Sequence, residues 1–318
     1  MYNFLTGIKS TGRPHLGNVI GVIYPTIFLT KNEKFKNQFI LIANLHSITN
    51  LKYIKNNKKN AYKILAVWLA CGIDYKKFIF YRQSDIPEVT ELLWFFSIIY
   101  PYNRLKLVHS FKENVKKKKT INTGILTYPI LMAADILISK AELVLVGKDQ
   151  LQHLEIARKI AKKINNIKKI FPLPQAIVIE NLIPGTDGSK MSKTKNNIID
   201  LFASKKEIKK QILKIKTQKN FSTNKKELLK DNLYNIYISL AGKEKKEKIK
   251  NNFKMGYEHA KEELYRLIIN KFKRERNLYK YYIKRKNKLE TIFKKGAKKM
   301  KQIVNSTIYE VRKAFECN

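Results

Sequence analysis

Across residues 1–180, short unbroken apolar runs alternate with longer segments of helical spacing, and few architectures accommodate that order. Residues 4–8, 39–43, 78–81, 143–146 and 176–179 read as strands. Residues 15–29, 61–71, 127–139 and 150–165 read as helices between them. A strand that is apolar at every position has to be covered on both faces. The expectation is therefore a parallel sheet with helices on either side, wound with right-handed crossovers into a doubly wound α/β fold. The texture changes near Asp200. Residues 201–295 carry helical periodicity, long Lys/Glu stretches and almost no strand signal, with polar breaks at 217–220 and 241–243. Met300, Ile303, Val304, Ile308, Val311 and Phe315 then place one apolar stripe on a closing helix over 296–316. Three parts are expected: an α/β unit over 1–200, an all-α unit over 201–295 and a helix within 296–318 that must pack on something.

The composition can fill such cores. The 318 residues are 44% hydrophobic and 11% aromatic, which argues against disorder, and 12 Gly and 8 Pro are too few for a collagen-like or low-complexity chain. Two cysteines, Cys71 and Cys317, supply neither a disulfide framework nor a four-thiolate zinc site. The first residues lack the basic start and apolar stretch of a secretory leader. The most apolar window, 125–138, is too short to span a bilayer and contains Asp135. A soluble cytoplasmic protein with no membrane partner is expected. The net charge is +40, of which +22 falls in residues 201–318. Lys and Arg gain affinity for nucleic acid by releasing counterions from phosphates. An A/T-rich codon supply of Lys, Asn, Ile and Tyr accounts for the excess equally well, so charge alone names no partner.

Four segments carry chemistry. The turn from Thr6 to Asn18, with Lys9, Ser10, Thr11, His15 and Gly17, lies between the first strand and first helix, where open α/β sheets bind ligands. Helix-start N–H groups there favour a phosphate, and His15 and Asn18 share a face; a simple capping turn fits too. The segment Gly188 to Asn197 sets Lys190 and Lys193 among Met191, Ser192 and Thr194. It reads as a mobile loop able to neutralise charge on a departing pyrophosphate, or as one more Lys-rich surface loop. Gly147, Lys148, Asp149 and Gln150 again sit at a strand end leading into a helix. His153 and Glu155 beyond them are two apart and do not share a helix face, so no metal site is expected. Asp135 is a carboxylate inside an apolar helical stretch with Tyr128 and Met132, costly unless it is paired or serves a ligand donor; a boundary Asp reaching solvent is the alternative.

Together, in this order, these segments resemble the class I aminoacyl-tRNA synthetases, specifically the bacterial tryptophanyl type. His15-Leu16-Gly17-Asn18 resembles the HIGH signature ending in Asn, and Lys190-Met191-Ser192-Lys193-Thr194 resembles KMSKS. Tyr128 to Leu137, Gly147 to Glu155, and Asn44-Leu45-His46-Ser47-Ile48-Thr49 are similar to segments typical of the tryptophan enzymes. The resemblance implies a Rossmann-like catalytic fold with an all-α C-terminal domain. It also implies a two-step reaction, in which tryptophan attacks the α-phosphate of Mg-ATP and tryptophanyl-adenylate then charges tRNA(Trp).

By that resemblance Lys190, Lys193, His15 and Asn18 act in catalysis. Lys9 to Thr11, Gly17, Asn18, Gly147 to Asp149, Ile179 and Lys190 to Thr194 surround ATP. Asp135 accepts the indole N–H, Met132 packs the ring, Tyr128 and Gln150 hold the α-amino group, and His46 lies beside them. No tightly bound protein metal is implied, and a homodimer is. The helical region would meet the tRNA anticodon. Three positions depart from the family: Lys9 where many members carry Gln, Asn44 in place of an acidic residue, and Asn114 where a lysine is common, with Lys116 to Lys119 as possible substitutes. A tyrosyl counterpart and a tRNA-binding relic without catalysis are the competing readings.

Overall fold

The computed structural model describes every residue except 117–120, 180–182, 219–227, 229 and 318, so Lys117 to Lys119 and part of the 217–220 break lie outside the described residues. Five strands, β1 (Asn3–Lys9), β2 (Asn37–Ala43), β3 (Ile79–Arg82), β4 (Leu143–Gly147) and β5 (Gln175–Ile179), form one sheet in the order β3-β2-β1-β4-β5. Every pairing is parallel, as the unbroken apolar runs require. The side-chain period of two sorts the residues between two cores. Ile40, Ile42 and Phe80 face one buried cluster, while Phe39, Leu41, Ile79 and Tyr81 face the other.

The first crossover runs through α1 (Leu16–Asn18), a π-helical turn (Val19–Ile23) and α2 (Tyr24–Asn32). Then come α3 (Asn44–Ile48), α4 (Asn57–Ala70), α5 (Glu88–Ile99), α6 (Tyr102–Leu105), α7 (His109–Lys116), α8 (Thr123–Ile138) and α9 (Leu151–Ile167). Helices α5 to α7 occupy a stretch whose sequence shows no clear element. The reason is visible in α5: Val89, Leu92, Phe95 and Phe96 are buried, but Trp94 and Ile98 on another face are exposed, so the apolar contrast that marks a surface helix is lost. Helix α8 begins before the expected 127 because Asn122 caps it, its Oδ1 accepting the Ile125 N–H at 3.1 Å.

The C-terminal part consists of α10 (Lys205–Leu213), α11 (Asn232–Ala241), α12 (Lys246–Lys254), α13 (Tyr257–Lys271), α14 (Lys273–Ile283) and α15 (Lys286–Ala314). The last helix starts at Lys286, before the expected 296, because the stripe continues backward through Leu289, Ile292 and Phe293. Those three lie in the first core, whereas Met300, Val304, Ile308 and Val311 lie in the second. Thus α15 passes from one face of the sheet to the other around edge strand β3, covering an edge that would otherwise offer unpaired backbone groups. Gly296 marks the crossing: a β-carbon there would overlap the Phe80 carbonyl. Arg82 holds the first half through Glu290, with both guanidinium contacts at 2.9 Å. Arg312–Glu91 and Lys140–Glu310 pairs, at 2.7 and 2.8 Å, hold the second.

Candidate active site

Strand order reverses at β1, and the ladders on its two sides differ in length. Pairing with β2 continues to Lys9 opposite Ala43, but pairing with β4 stops at Leu5 opposite Val144. Beyond that point β1 and β4 part, opening a cleft of about 510 Å³ at their carboxyl ends. The four segments singled out in the sequence converge on it. Lys9, Thr11, His15, Gly17 and Asn18 line one side; Gly147, Asp149, Gln150 and Ile179 line another. His46, Tyr128, Met132 and Asp135 form the deep end, and Lys190, Met191, Ser192, Lys193 and Thr194 border the mouth. Ser10 and Lys148 are not among the lining residues. Ser10 is fully buried and its Oγ donates to the Asn57 carbonyl at 2.8 Å, tying the turn to α4.

The turn and the lysine segment interlock. A β-carbon on Gly17 would lie 3.2 Å from the His15 imidazole and 3.3 Å from Met191 Sδ, so only glycine leaves that junction unstrained. Asn18 Oδ1 accepts the His15 N–H at 3.1 Å. Burial, reinforced by Lys193 and Lys190, pushes the His15 imidazole down to about 3, so at neutral pH it is an uncharged hydrogen-bonding group. Arg13 clasps Asp200 across 187 residues through two nitrogens, and the Leu16 N–H donates to the Ile199 carbonyl at 2.8 Å. The segment's shape comes from Asn197, whose Nδ2 donates to Asp187, Ser189 and the Lys190 carbonyl while its Oδ1 accepts the Ser192 N–H.

The two lysines stand in different surroundings. Lys190 reaches across the mouth to Asp149 at 2.9 Å. Burial pushes the Asp149 carboxyl up, but Gln150 and Lys190 outweigh it and the net shift is down. Lys193 lies half-buried over Gly12, and burial lowers its ammonium to about 8, with Arg13 and Lys63 pushing the same way and Asp200 opposing.

At the deep end Asp135 is 3% exposed. His46 Nε2 is 2.9 Å from its Oδ2, and Gln83 Nε2 donates to both oxygens at 2.9 and 2.8 Å. Burial raises the Asp135 carboxyl, and the His46 and Gln83 contacts oppose that rise. The Tyr128 ring lies 4.3 Å from His46 and 5.4 Å from His153, with the Lys9 ammonium 4.3 Å above it. Burial lowers His153 to about 4, helped by Lys9 and His46. Gln83 was not legible as a site residue in the sequence. Its only local signal is its place just after β3, at a strand's carboxyl end. The other departures are explained locally: Asn44 pairs with Ser84, and Asn114 donates to Ser110 one turn back.

The sequence matches the family of class I tRNA synthetases for tryptophan and tyrosine (W and Y) over residues 2–308. The chain belongs to this family. A tryptophan–tRNA ligase of Fusobacterium nucleatum is 38% identical over 99% of this chain and 97% of its own length. One from Campylobacter jejuni is 37% identical over 96% and 97%. In structure, the C. jejuni tryptophanyl-tRNA synthetase solved with ADP and tryptophan superposes with a TM-score of 0.88 at 36% identity, covering 99% of both chains. The Mycoplasma pneumoniae tryptophanyl-tRNA synthetase gives 0.79 at 26% identity, covering 100% of this chain and 98% of that one. The Rossmann-like fold expected from the sequence is thus the class I synthetase fold. Among the described residues of this synthetase no helix is long and apolar enough to cross a membrane, and no group of three or more His, Cys, Asp or Glu is placed to hold a metal ion.

Proposed function

We propose that this class I synthetase is a tryptophan–tRNA ligase that activates L-tryptophan with ATP and transfers it to tRNA(Trp). The observation that carries the class of amino acid, one with a hydrogen-bond donor on its ring, is Asp135, a buried carboxylate lining the cleft with Tyr128 and Met132. A site built around a carboxylate acceptor favours a ring that carries a donor, because an analogue without one leaves the carboxylate unpaired, and the indole N–H of tryptophan is such a donor. The tryptophan–tRNA ligases similar to it along nearly their whole length support the same reading.

In this reading tryptophan lies at the deep end and ATP spans the turn from Lys9 to Asn18 and the strand end at Gly147 to Gln150. The carboxylate oxygen attacks the α-phosphorus; that P–O bond forms as the bond to the β-phosphate breaks, and pyrophosphate leaves. The tRNA's terminal 2′-hydroxyl then attacks the aminoacyl carbonyl; the ester bond forms as the bond from that carbonyl to the phosphate oxygen breaks, and AMP departs with the hydroxyl proton passing to its phosphate or to water. Displacement at phosphorus asks mainly for positioning and charge stabilisation. Lys193 and Lys190 supply the charge at the phosphates, while neutral His15 and the Asn18 amide supply hydrogen bonds. Magnesium arrives on the triphosphate as part of the substrate.

The all-α region over 201–295, with most of its length strongly basic, contacts the tRNA, and two copies of the chain form a homodimer. Exposed Trp94 and Ile98, one turn apart on α5, offer the apolar surface for that contact. Pyrophosphate exchange measured with each amino acid tests the assignment. Exchange supported by tryptophan is expected; exchange with tyrosine alone would overturn it, and no exchange at all would favour a tRNA-binding relic.

A further inference from the structure

Gln83 is buried, 1% exposed, and both ends of its amide are fully engaged. Its Oε1 accepts the backbone N–H groups of Leu45 at 3.0 Å and His46 at 3.1 Å. Those groups can only donate, so the amide orientation is fixed and its NH2 must face Asp135, where it reaches both carboxylate oxygens. His46 Nε2 takes a second position on Oδ2. Oδ1 has Gln83 as its partner among the described residues and keeps an unused acceptor position. A fully buried carboxylate is driven toward its neutral form, and hydrogen bonds to the charged form oppose this.

We infer that Gln83 is a specificity-determining positioning residue, which holds Asp135 anionic and aims its Oδ1 at a ring N–H of the amino-acid substrate. The inference rests on the reading of Asp135 as the acceptor of the indole N–H. Without the Gln83 amide, Asp135 turns toward His46 or takes up a proton. A protonated carboxyl donates as well as accepts and no longer favours N–H over a ring that lacks it. Gln83 touches neither substrate in this scheme; it acts through Asp135.

The test compares tryptophan with the analogue whose indole nitrogen is replaced by sulfur, using pyrophosphate exchange. Gln83→Met removes both ends of the amide at similar volume. Gln83→Glu keeps an acceptor for Leu45 and His46 but sets an oxygen against Asp135, and it decides the matter if the Met variant does not fold. In either variant the ratio of kcat/KM for tryptophan over the analogue is expected to fall roughly tenfold or more, with the KM for ATP changing less than about twofold. An equal rise in KM for both substrates would mark a merely structural residue and overturn the inference. Asp135→Ala separates the two layers. If it leaves the ratio untouched, the reading of Asp135 itself fails; if it abolishes the preference while both Gln83 variants retain it, the role of Gln83 alone fails.

Discussion

The Lys190 ammonium stands 2.9 Å from the Asp149 carboxylate, so the first lysine of the loop is already paired with the opposite wall of the cleft. Lys193 has no such ion pair among the described residues and is half-buried, with its ammonium over Gly12. In the proposed reaction the two lysines would therefore meet the triphosphate on unequal terms. Lys190 has to leave Asp149, but both partners are more than half exposed, so that exchange costs no more than about 1 kcal/mol. Lys193, half-buried and free of such a partner, would be the better preorganised cation at a developing charge.

Lys193→Ala is expected to lower kcat for pyrophosphate exchange by about 3 kcal/mol, on the order of a hundredfold. Lys190→Ala is expected to lower it less. The comparison is made at saturating tryptophan, and equal losses, or a larger one at Lys190, would contradict the account.

The same burial sets a pH limit. Lys193 holds its proton below pH 8 and loses it above, since its ammonium lies at about 8 rather than the usual lysine value. The kcat/KM for ATP should be level near neutrality and fall as pH rises through 8. His15, at about 3, stays neutral across that range and adds no limb of its own. Lys193→Arg should carry the falling limb to higher pH, because guanidinium does not lose its proton there. A profile that still falls at pH 8 in the Arg variant would assign the limb to another group.

Gly296→Ala gives a prediction whose sign is diagnostic. In an exposed helix the change would stabilise by about 1 kcal/mol. Here the new methyl group would meet the Phe80 backbone, which is fixed in a paired strand. The expected result is destabilisation by about 3 kcal/mol in urea unfolding, with α15 displaced from β3. A more stable variant would mean that the helix does not cross the sheet edge at this point.

Trp94→Asp, on the exposed face of α5, leaves the buried core of that helix untouched. If this face joins two copies, light scattering should show the mass falling from dimer to monomer at micromolar concentration. An unchanged dimer would place the interface elsewhere.

Much of this protein follows from local order in its sequence. Unbroken apolar runs such as 39–43 can be buried only on both faces, which dictates a parallel, doubly covered sheet. Asp135 stands out because a carboxylate inside an apolar helix is costly wherever the helix packs. The glycine-bearing turn at Gly17 and the lysines at 190 and 193 are recognisable for the same reason: their chemistry resides in a few adjacent residues. Tertiary structure decided what depends on distant partners. Gln83 gains its meaning from Asp135, 52 positions away, and the lowered proton affinity of Lys193 comes first from burial and then from Arg13 and Lys63. Helix α5 carries no clear signal in the sequence because its exposed apolar face erases the contrast that marks a surface helix. Gly296 reads as an ordinary weak point in a helix until the edge of β3 is set against it. Hydrophobic periodicity records whether a residue is buried, but the identity of its neighbours exists only once the chain has closed on itself.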